Sequence, residues 1–199
     1  MDFYNYDAII LFMSESIIIM GCKNTGKTTH GKALSQALGF PFLDTDYVIQ
    51  KMKNMPYEDF YKKNGIVAYT QAEEEACNII AKYASDKLVV ISTGANIYDN
   101  PPALNALRPI GKFVFIHFTL DYCISKSMTG IEQNELGTIS NLPKWVEEKK
   151  PKTMEDVRQI FSDSFSARFQ QYASICDEEI VLTGSIKEEN FDIILNKLK

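Results

Sequence analysis

Residues 17 to 38, IIIMGCKNTGKTTHGKALSQAL, constrain this chain more than any other stretch. Four apolar residues lead into Gly21, and Gly21-Cys22-Lys23-Asn24-Thr25-Gly26-Lys27-Thr28 satisfies G-x-x-x-x-G-K-[ST] at every fixed position. Residues 17–20 read as a buried strand and 27–38 as a helix with apolar positions at Ala33, Leu34, Ala37 and Leu38. In that setting glycines let successive backbone N–H groups converge on anionic oxygens, and the helix adds its positive N-terminal end. Lys27 is expected to reach the β- and γ-phosphates, and the Thr28 hydroxyl to ligate Mg2+. Gly21, Asn24, Thr25, Gly26, Lys27, Thr28 and Thr29 are therefore the expected nucleotide contacts. The bland alternative is a glycine turn with an incidental lysine.

The rest of the chain alternates in the same way. FPFLDTD supplies a second short strand ending in two aspartates, and residues 45–84 read as mostly helical, punctuated by Pro56 and Asn64-Gly65. LVVIST (88–93), FVFIHF (113–118) and EEIVLT (178–183) are further strands, with helical patterns at 155–175 and 186–198. Such alternation predicts a parallel sheet covered on both faces. Residues 127–153 are polar, with Gly130, Gly137, Pro143 and Pro151, and read as a lid over a site. Residues 1–16 read as an N-terminal extension, and 17–199 as a single domain.

Composition narrows the partners. A net charge of -5 argues against a general nucleic-acid binder. No apolar run nears the roughly 18 residues that span a membrane, and acidic residues precede the apolar part of MDFYNYDAIILF, unlike a signal peptide. Cys22, Cys77, Cys123 and Cys176 are scattered with no C-x-x-C, so neither a zinc site nor a disulfide framework is indicated and a cytoplasmic setting is the default. Cys22 reads as a small filler in the loop.

With these residues in place, the chain resembles the shikimate kinase family, small phosphate-loop kinases related to nucleotide and gluconate kinases, over residues 17 to 198. The resemblance implies an α/β P-loop NTPase fold, a five-stranded parallel sheet flanked by helices with a mobile lid, and ATP- and Mg2+-dependent phosphorylation of a hydroxyl. The family's D-x-D at the end of the second strand is matched by Asp44-Thr45-Asp46. The resemblance makes Asp44 a water-mediated magnesium ligand, and Asp46 the residue that meets the acceptor hydroxyl and takes its proton. Residues i and i+2 at a strand end face one side, which supports a joint role; helix capping is the alternative for both. The late R-x-x-x-Y is kept as Arg168 and Tyr172, making Arg168 the candidate acceptor-binding cation. Lys126 stands where the family's lid begins with an adenine-stacking arginine.

Elsewhere the pattern is broken. Where the family has a glycine triplet, Thr93-Gly94-Ala95-Asn96 keeps Gly94 alone, read either as an acceptor contact or as an ordinary turn. Tyr69-Thr70-Gln71-Ala72-Glu73 aligns with F-R-x-x-E, so the arginine that binds the shikimate carboxylate has become Thr70. Only three of 21 basic residues are arginine, and none lies between Arg108 and Arg158, the span holding the lid. Charged hydrogen bonds contribute roughly 1.5–3 kcal/mol each, so these losses would weaken shikimate binding by about two orders of magnitude. Lys144 or Lys149 could compensate only as point charges, without the planar fork.

Glu73, in the run Glu73-Glu74-Glu75, reads as part of a solvated helix face. His30 and His117 read as packing or hydrogen-bonded residues, Trp145 as a lid anchor, and Lys149-Lys150 beside Glu147-Glu148 as an exposed charged face. The expected activity is a kinase acting on a small polar acceptor, shikimate or another sugar, cyclitol or nucleotide, in a protein expected to be monomeric. A nucleotide-binding regulator without phosphoryl transfer is the reading from a different class.

Overall fold

The computed structural model describes residues 14–183 and 187–198. Most of the expected N-terminal extension, residues 1–13, and residue 186 at the start of the last expected helix lie outside the described residues. The elements of the sheet layer are β1 (Ser16–Met20), α1 (Lys27–Leu38), β2 (Phe42–Asp44), α2 (Thr45–Lys53), α3 (Tyr57–Tyr83), β3 (Val90–Ser92), α4 (Pro101–Leu107) and β4 (Gly111–Phe118). Then come α5 (Leu120–Met128), the two-residue strands β5 (Glu132–Gln133) and β6 (Ile139–Ser140), α6 (Lys144–Glu147), α7 (Met154–Ile175), β7 (Glu178–Leu182) and α8 (Lys187–Lys197). They group into two compact units, one running to His117 and resuming at Tyr172, the other Phe118–Gln171.

The first unit is built on a five-stranded sheet in the order β2-β3-β1-β4-β7. Strand β1 pairs in parallel with β3, Ile17 opposite Val90, and with β4, Ile17 opposite Lys112. Strand β3 pairs in parallel with β2, which sets Asp44 opposite Ser92. Ile17, Ile18, Ile19 and Met20 are all fully buried, as a central parallel strand covered on both faces requires. This register brings Gly21, Asp44 and Thr93 to the same carboxyl edge of the sheet, where ligands bind in open α/β sheets.

Helices α2 and α3 pack on each other, around Ile49, Ala72 and Ala76, with Val48, Met52, Phe60 and Tyr69 closing the cluster. Removing a side chain such as Ile49 from water contributes roughly 1.5–3 kcal/mol. The long helix α3 is broken at Gly65 (φ 78, ψ -179), where Asn64-Gly65 marked the interruption. The break leaves Tyr57–Asn64 as one segment and Ile66–Tyr83 as the next.

One expectation needs correcting. Strand β2 stops at Asp44, and Asp46 lies in the first turn of α2. The strand-end alternation used to pair the two aspartates therefore does not apply. Asp44 is the N-cap of α2, its side chain accepting from the Asp46 and Tyr47 amides.

The second unit has its own small core of Ile124, Ile131, Val146, Val157 and Phe161. The polar stretch 127–153 contributes Ile131 and Val146 to it. Trp145 lies edge-on to Phe161, ring centroids 5.5 Å apart.

Candidate active site

The loop after β1 is shaped by its own backbone. Gly21 has φ 156, and a Cβ there would run into the Ile116 carbonyl and come within 2.9 Å of Thr25 Oγ1. Any larger residue would push the loop off the sheet. Thr25 is buried and its hydroxyl donates to the Cys22 carbonyl at 2.9 Å. Cys22 is buried too, as a small filler would be. Lys27 donates from Nζ to the Gly21 and Cys22 carbonyls, at 2.9 and 3.0 Å. Burial lowers the Lys27 pKa, while Asp46, Cys22 and Asp44 act against that. Tyr172, fully buried and stacked on Phe115 with centroids 4.7 Å apart, braces the loop from behind. Its hydroxyl lies 2.6 Å from the Ala95 carbonyl and 3.2 Å from that of Gly21, placed to donate to either.

Beside the loop, the Thr28 hydroxyl donates to Asp44 Oδ2 at 2.9 Å and lies 3.4 Å from Ser92 Oγ. Asp44 thus does both things weighed for it: Oδ1 caps α2 while Oδ2 meets Thr28. Among the described residues, no group of three or more His, Cys, Asp or Glu is arranged to hold a metal. A hydroxyl that lines the cavity beside one carboxylate suits a hard cation that keeps most of its waters, as Mg2+ does.

The opposite side is a wall of side chains. Tyr69 donates its hydroxyl to Asp46 Oδ1 at 2.7 Å. Burial raises the Asp46 pKa and the Tyr69 hydrogen bond pulls it down. Glu73, one helical turn after Tyr69, is buried (3% exposed) rather than solvated, which corrects the sequence reading. Its Oε2 accepts from Asn100 Nδ2 at 2.8 Å, and Oε1 is buried without a hydrogen-bond partner among the described residues. Burial pushes its carboxyl up to about 7. Gly94 lies where these groups converge. A Cβ on it would collide with Glu73 Oε1 and lie 3.2 Å from the Tyr69 hydroxyl and 3.4 Å from Asp46 Oδ1. The Gly94 amide donates to Thr45 Oγ1 at 2.8 Å.

Loop and wall enclose a cavity of about 950 Å³, lined on one side by Asn24, Gly26, Lys27, Thr28 and Thr29 and on the other by Asp46, Tyr57, Tyr61, Tyr69 and Asn96. Lys187, Lys23 and Glu58 also line it, the last two 3.2 Å apart. The phenol of Tyr57 is pushed up to about 12, chiefly by burial. Lys126 and Arg168 belong to the second unit; Lys126 Nζ lies 5.7 Å from the Tyr122 ring centroid. His30 and His117 are buried, and His117 Nε2 lies 2.8 Å from Glu179 Oε1.

Tyr69, Tyr57, Asn100, Lys187 and the bracing role of Tyr172 were not found in the sequence. Tyr69 and Glu73 carry one usable signal, their i, i+4 spacing on a helix face. Asn100 carries none.

Comparison with known proteins adds the kinship. The shikimate kinase family model matches residues 23–198. The shikimate kinase of Thermoanaerobacter pseudethanolicus is 37% identical over 97 residues, 49% of this chain, and the chain spans only 55% of that relative's length. The shikimate kinase of Enterococcus faecalis is 25% identical over 185 residues, covering 93% of this chain and 99% of that one. Among solved structures, a shikimate kinase from Acinetobacter baumannii in complex with shikimate superposes with a TM-score of 0.68 at 22% identity, covering 98% of this chain and 99% of that one. The family model spans the phosphate loop from Lys23, the Asp44–Asp46 turn, the Tyr69–Glu73 helix face and the last helix, and on that extent the chain belongs to the shikimate kinase family.

Proposed function

We propose that this protein transfers the γ-phosphoryl group of ATP to a hydroxyl of a small polar metabolite of the shikimate type. One observation carries the reading: a single cavity has Lys27 and Thr28 on one side and Asp46 on the other. Phosphoryl transfer requires little beyond holding the two reactants in line and neutralising charge.

The loop amides and Lys27 hold the phosphates, with Gly21, Asn24, Thr25, Gly26 and Thr29 shaping the cradle. Swinging the Lys27 ammonium from the Gly21 and Cys22 carbonyls to phosphate exchanges neutral acceptors for charged ones, a stronger bond. Thr28 and Asp44 would hold Mg2+, which when bound neutralises phosphate charge. Asp46 orients the acceptor hydroxyl and accepts its proton, and Gly94 gives the acceptor a close approach to the backbone. Lys126 on the nucleotide and Arg168 on the acceptor, closure of residues 127–153 as a lid, a monomeric state and a cytoplasmic location belong to the same proposal. No helix among the described residues is long and apolar enough to cross a membrane.

A second reading changes the acceptor alone. Thr70 replaces the family's arginine and Glu73 Oε1 has no hydrogen-bond partner among the described residues, which favours a sugar or cyclitol that presents hydroxyls rather than a carboxylate.

Coupled measurement of ADP release with shikimate and a panel of sugars, cyclitols and nucleosides tests both. At least one acceptor should raise ADP production, and Asp46→Asn should lower it by about 10²-fold or more. If no acceptor raises ADP release from protein that binds ATP, the reading gives way to a nucleotide-binding regulator.

A further inference from the structure

We infer that Tyr172 is a positioning residue for the transfer: its hydroxyl ties the carbonyl of Gly21, in the phosphate loop, to that of Ala95, on the facing wall, and so sets the spacing between donor and acceptor. The inference rests on the proposed reading of the cavity as holding both reactants.

Three features of the geometry support it. The first is where the phenol acts. Strand β1 pairs with β3 as far as Ile19 opposite Ser92, and the Thr93 amide adds a bond to the Ile19 carbonyl at 3.1 Å. Beyond that point the two chains leave the ladder, one as the phosphate loop and the other through Gly94 and Ala95. Tyr172 reaches both. Its hydroxyl lies 2.6 Å from the Ala95 carbonyl, a usual O–H···O length, and 3.2 Å from that of Gly21. The second is how the ring is aimed. Tyr172 lies in the last turn of α7, fully buried, stacked on Phe115 with centroids 4.7 Å apart and edge-on to Tyr98 at 4.9 Å. Phe115 is stacked in turn on His117 at 4.5 Å. A ring packed between others has lost its freedom on folding, so its hydroxyl needs no further ordering during turnover.

The third is what the two carbonyls lead to. Ala95 lines the cavity. Its neighbour Gly94 donates its amide to Thr45 Oγ1 at 2.8 Å, and Thr45 is fully buried next to Asp46 in the chain. On the other side, the Gly21 carbonyl also accepts from Lys27 Nζ at 2.9 Å. A path of bonds therefore runs from Lys27 through Gly21, Tyr172, Ala95, Gly94 and Thr45 to Asp46. Without the hydroxyl, the ladder still holds both loops at their roots, so each keeps its own ligand contacts and only their separation relaxes. In-line transfer is sensitive to that shift, since a misplacement of about 1 Å can cost about 10²-fold.

The test is a split between binding and turnover. Tyr172→Phe should lower kcat about tenfold, while the Kd for Mg-ATP and the KM for the acceptor move less than about threefold. Replacing Tyr172 with 4-fluorophenylalanine, which fills the hydroxyl's volume without its proton, should give the same split, and it decides the matter if Tyr172→Phe does not fold. Replacement with 4-aminophenylalanine restores an N–H donor and should recover most of the lost kcat. A donorless variant that keeps kcat, or that loses ATP affinity in step with kcat, overturns the proposal, as does a 4-aminophenylalanine protein no faster than the donorless ones. A wild type that releases no ADP with any acceptor overturns the kinase reading instead, and hydrogen exchange then decides the role of Tyr172. The Gly94 and Ile97 amides, bonded to Thr45 Oγ1 and to the Gly94 carbonyl, should exchange faster in Tyr172→Phe than in the wild type, and the His30 amide in α1 should not. Exchange rates unchanged at Gly94 and Ile97 would show that the phenol does not hold this loop.

Discussion

The loop Gly21–Thr28 and the wall that faces it across the cavity are made by different means. The loop is backbone, closed on itself by Thr25 and Lys27 bonding to the carbonyls of residues 21 and 22. Every part of it lies within eight consecutive residues, so its chemistry survives as long as the spacing does. The wall is assembled from separate places: Asp46 on α2 and Tyr69 on α3 line the cavity, and Glu73 on α3, Gly94 after β3 and Asn100 at the start of α4 pack behind them. Its chemistry depends on packing, and one residue can change what it recognises. In the proposed function the donor half is thus fixed by local spacing, and the acceptor half is adjustable one side chain at a time.

The sharpest way to break this contrast is Gly94→Ala. The added methyl has no room beside Glu73 Oε1 and crowds Tyr69 and Asp46. It should cost about 1–3 kcal/mol of stability and, by displacing Asp46, about 10²-fold in kcat/KM for the acceptor. ATP affinity should be unchanged. Urea unfolding and steady-state kinetics check both, and a matching loss of ATP affinity would mean that loop and wall are one unit.

Glu73→Gln gives a smaller, pH-dependent effect. The folded protein holds the Glu73 proton up to about pH 7, against an ordinary value of 4.5. Folding therefore takes up a proton between these values, and stability falls as pH climbs through that window, by about 3 kcal/mol from this group. The glutamine variant has no such proton. Unfolding midpoints at pH 5 and pH 8 should fall with pH in the wild type and stay flatter in the variant. Parallel pH dependences would show that Glu73 does not titrate in this window.

The smallest effect belongs to Glu58→Gln. The Lys23–Glu58 pair joins loop to wall at 3.2 Å, but both side chains are largely exposed, and such pairs add little. The unfolding midpoint should not move. A clear drop would make the ion pair a structural link between the two sides.

How much of this could be read in the sequence follows the same division. The loop, the five strands and the break at Asn64-Gly65 were legible because local spacing and punctuation encode them. Asp46 was misplaced because β2 is three residues long, and whether a strand ends at residue 44 or 46 depends on the ladder opposite Ser92. Glu73 was misread because its neighbours Glu74 and Glu75 look like a solvated run. Helical periodicity puts Glu73 with Tyr69, Ala76 and Ile80 on the inner face, leaving Glu75 exposed. Asn100 lies 27 residues from the carboxyl it tethers, and no local pattern announces a contact of that range.

Whether the loop holds phosphate is tested most directly by equilibrium titration of Mg-ATP into the wild type and Lys27→Ala. The wild type should bind, and the variant, lacking the ammonium that bonds the Gly21 and Cys22 carbonyls, should bind about 10²-fold more weakly. Equal affinity in the two proteins, or no uptake by the wild type, would contradict it.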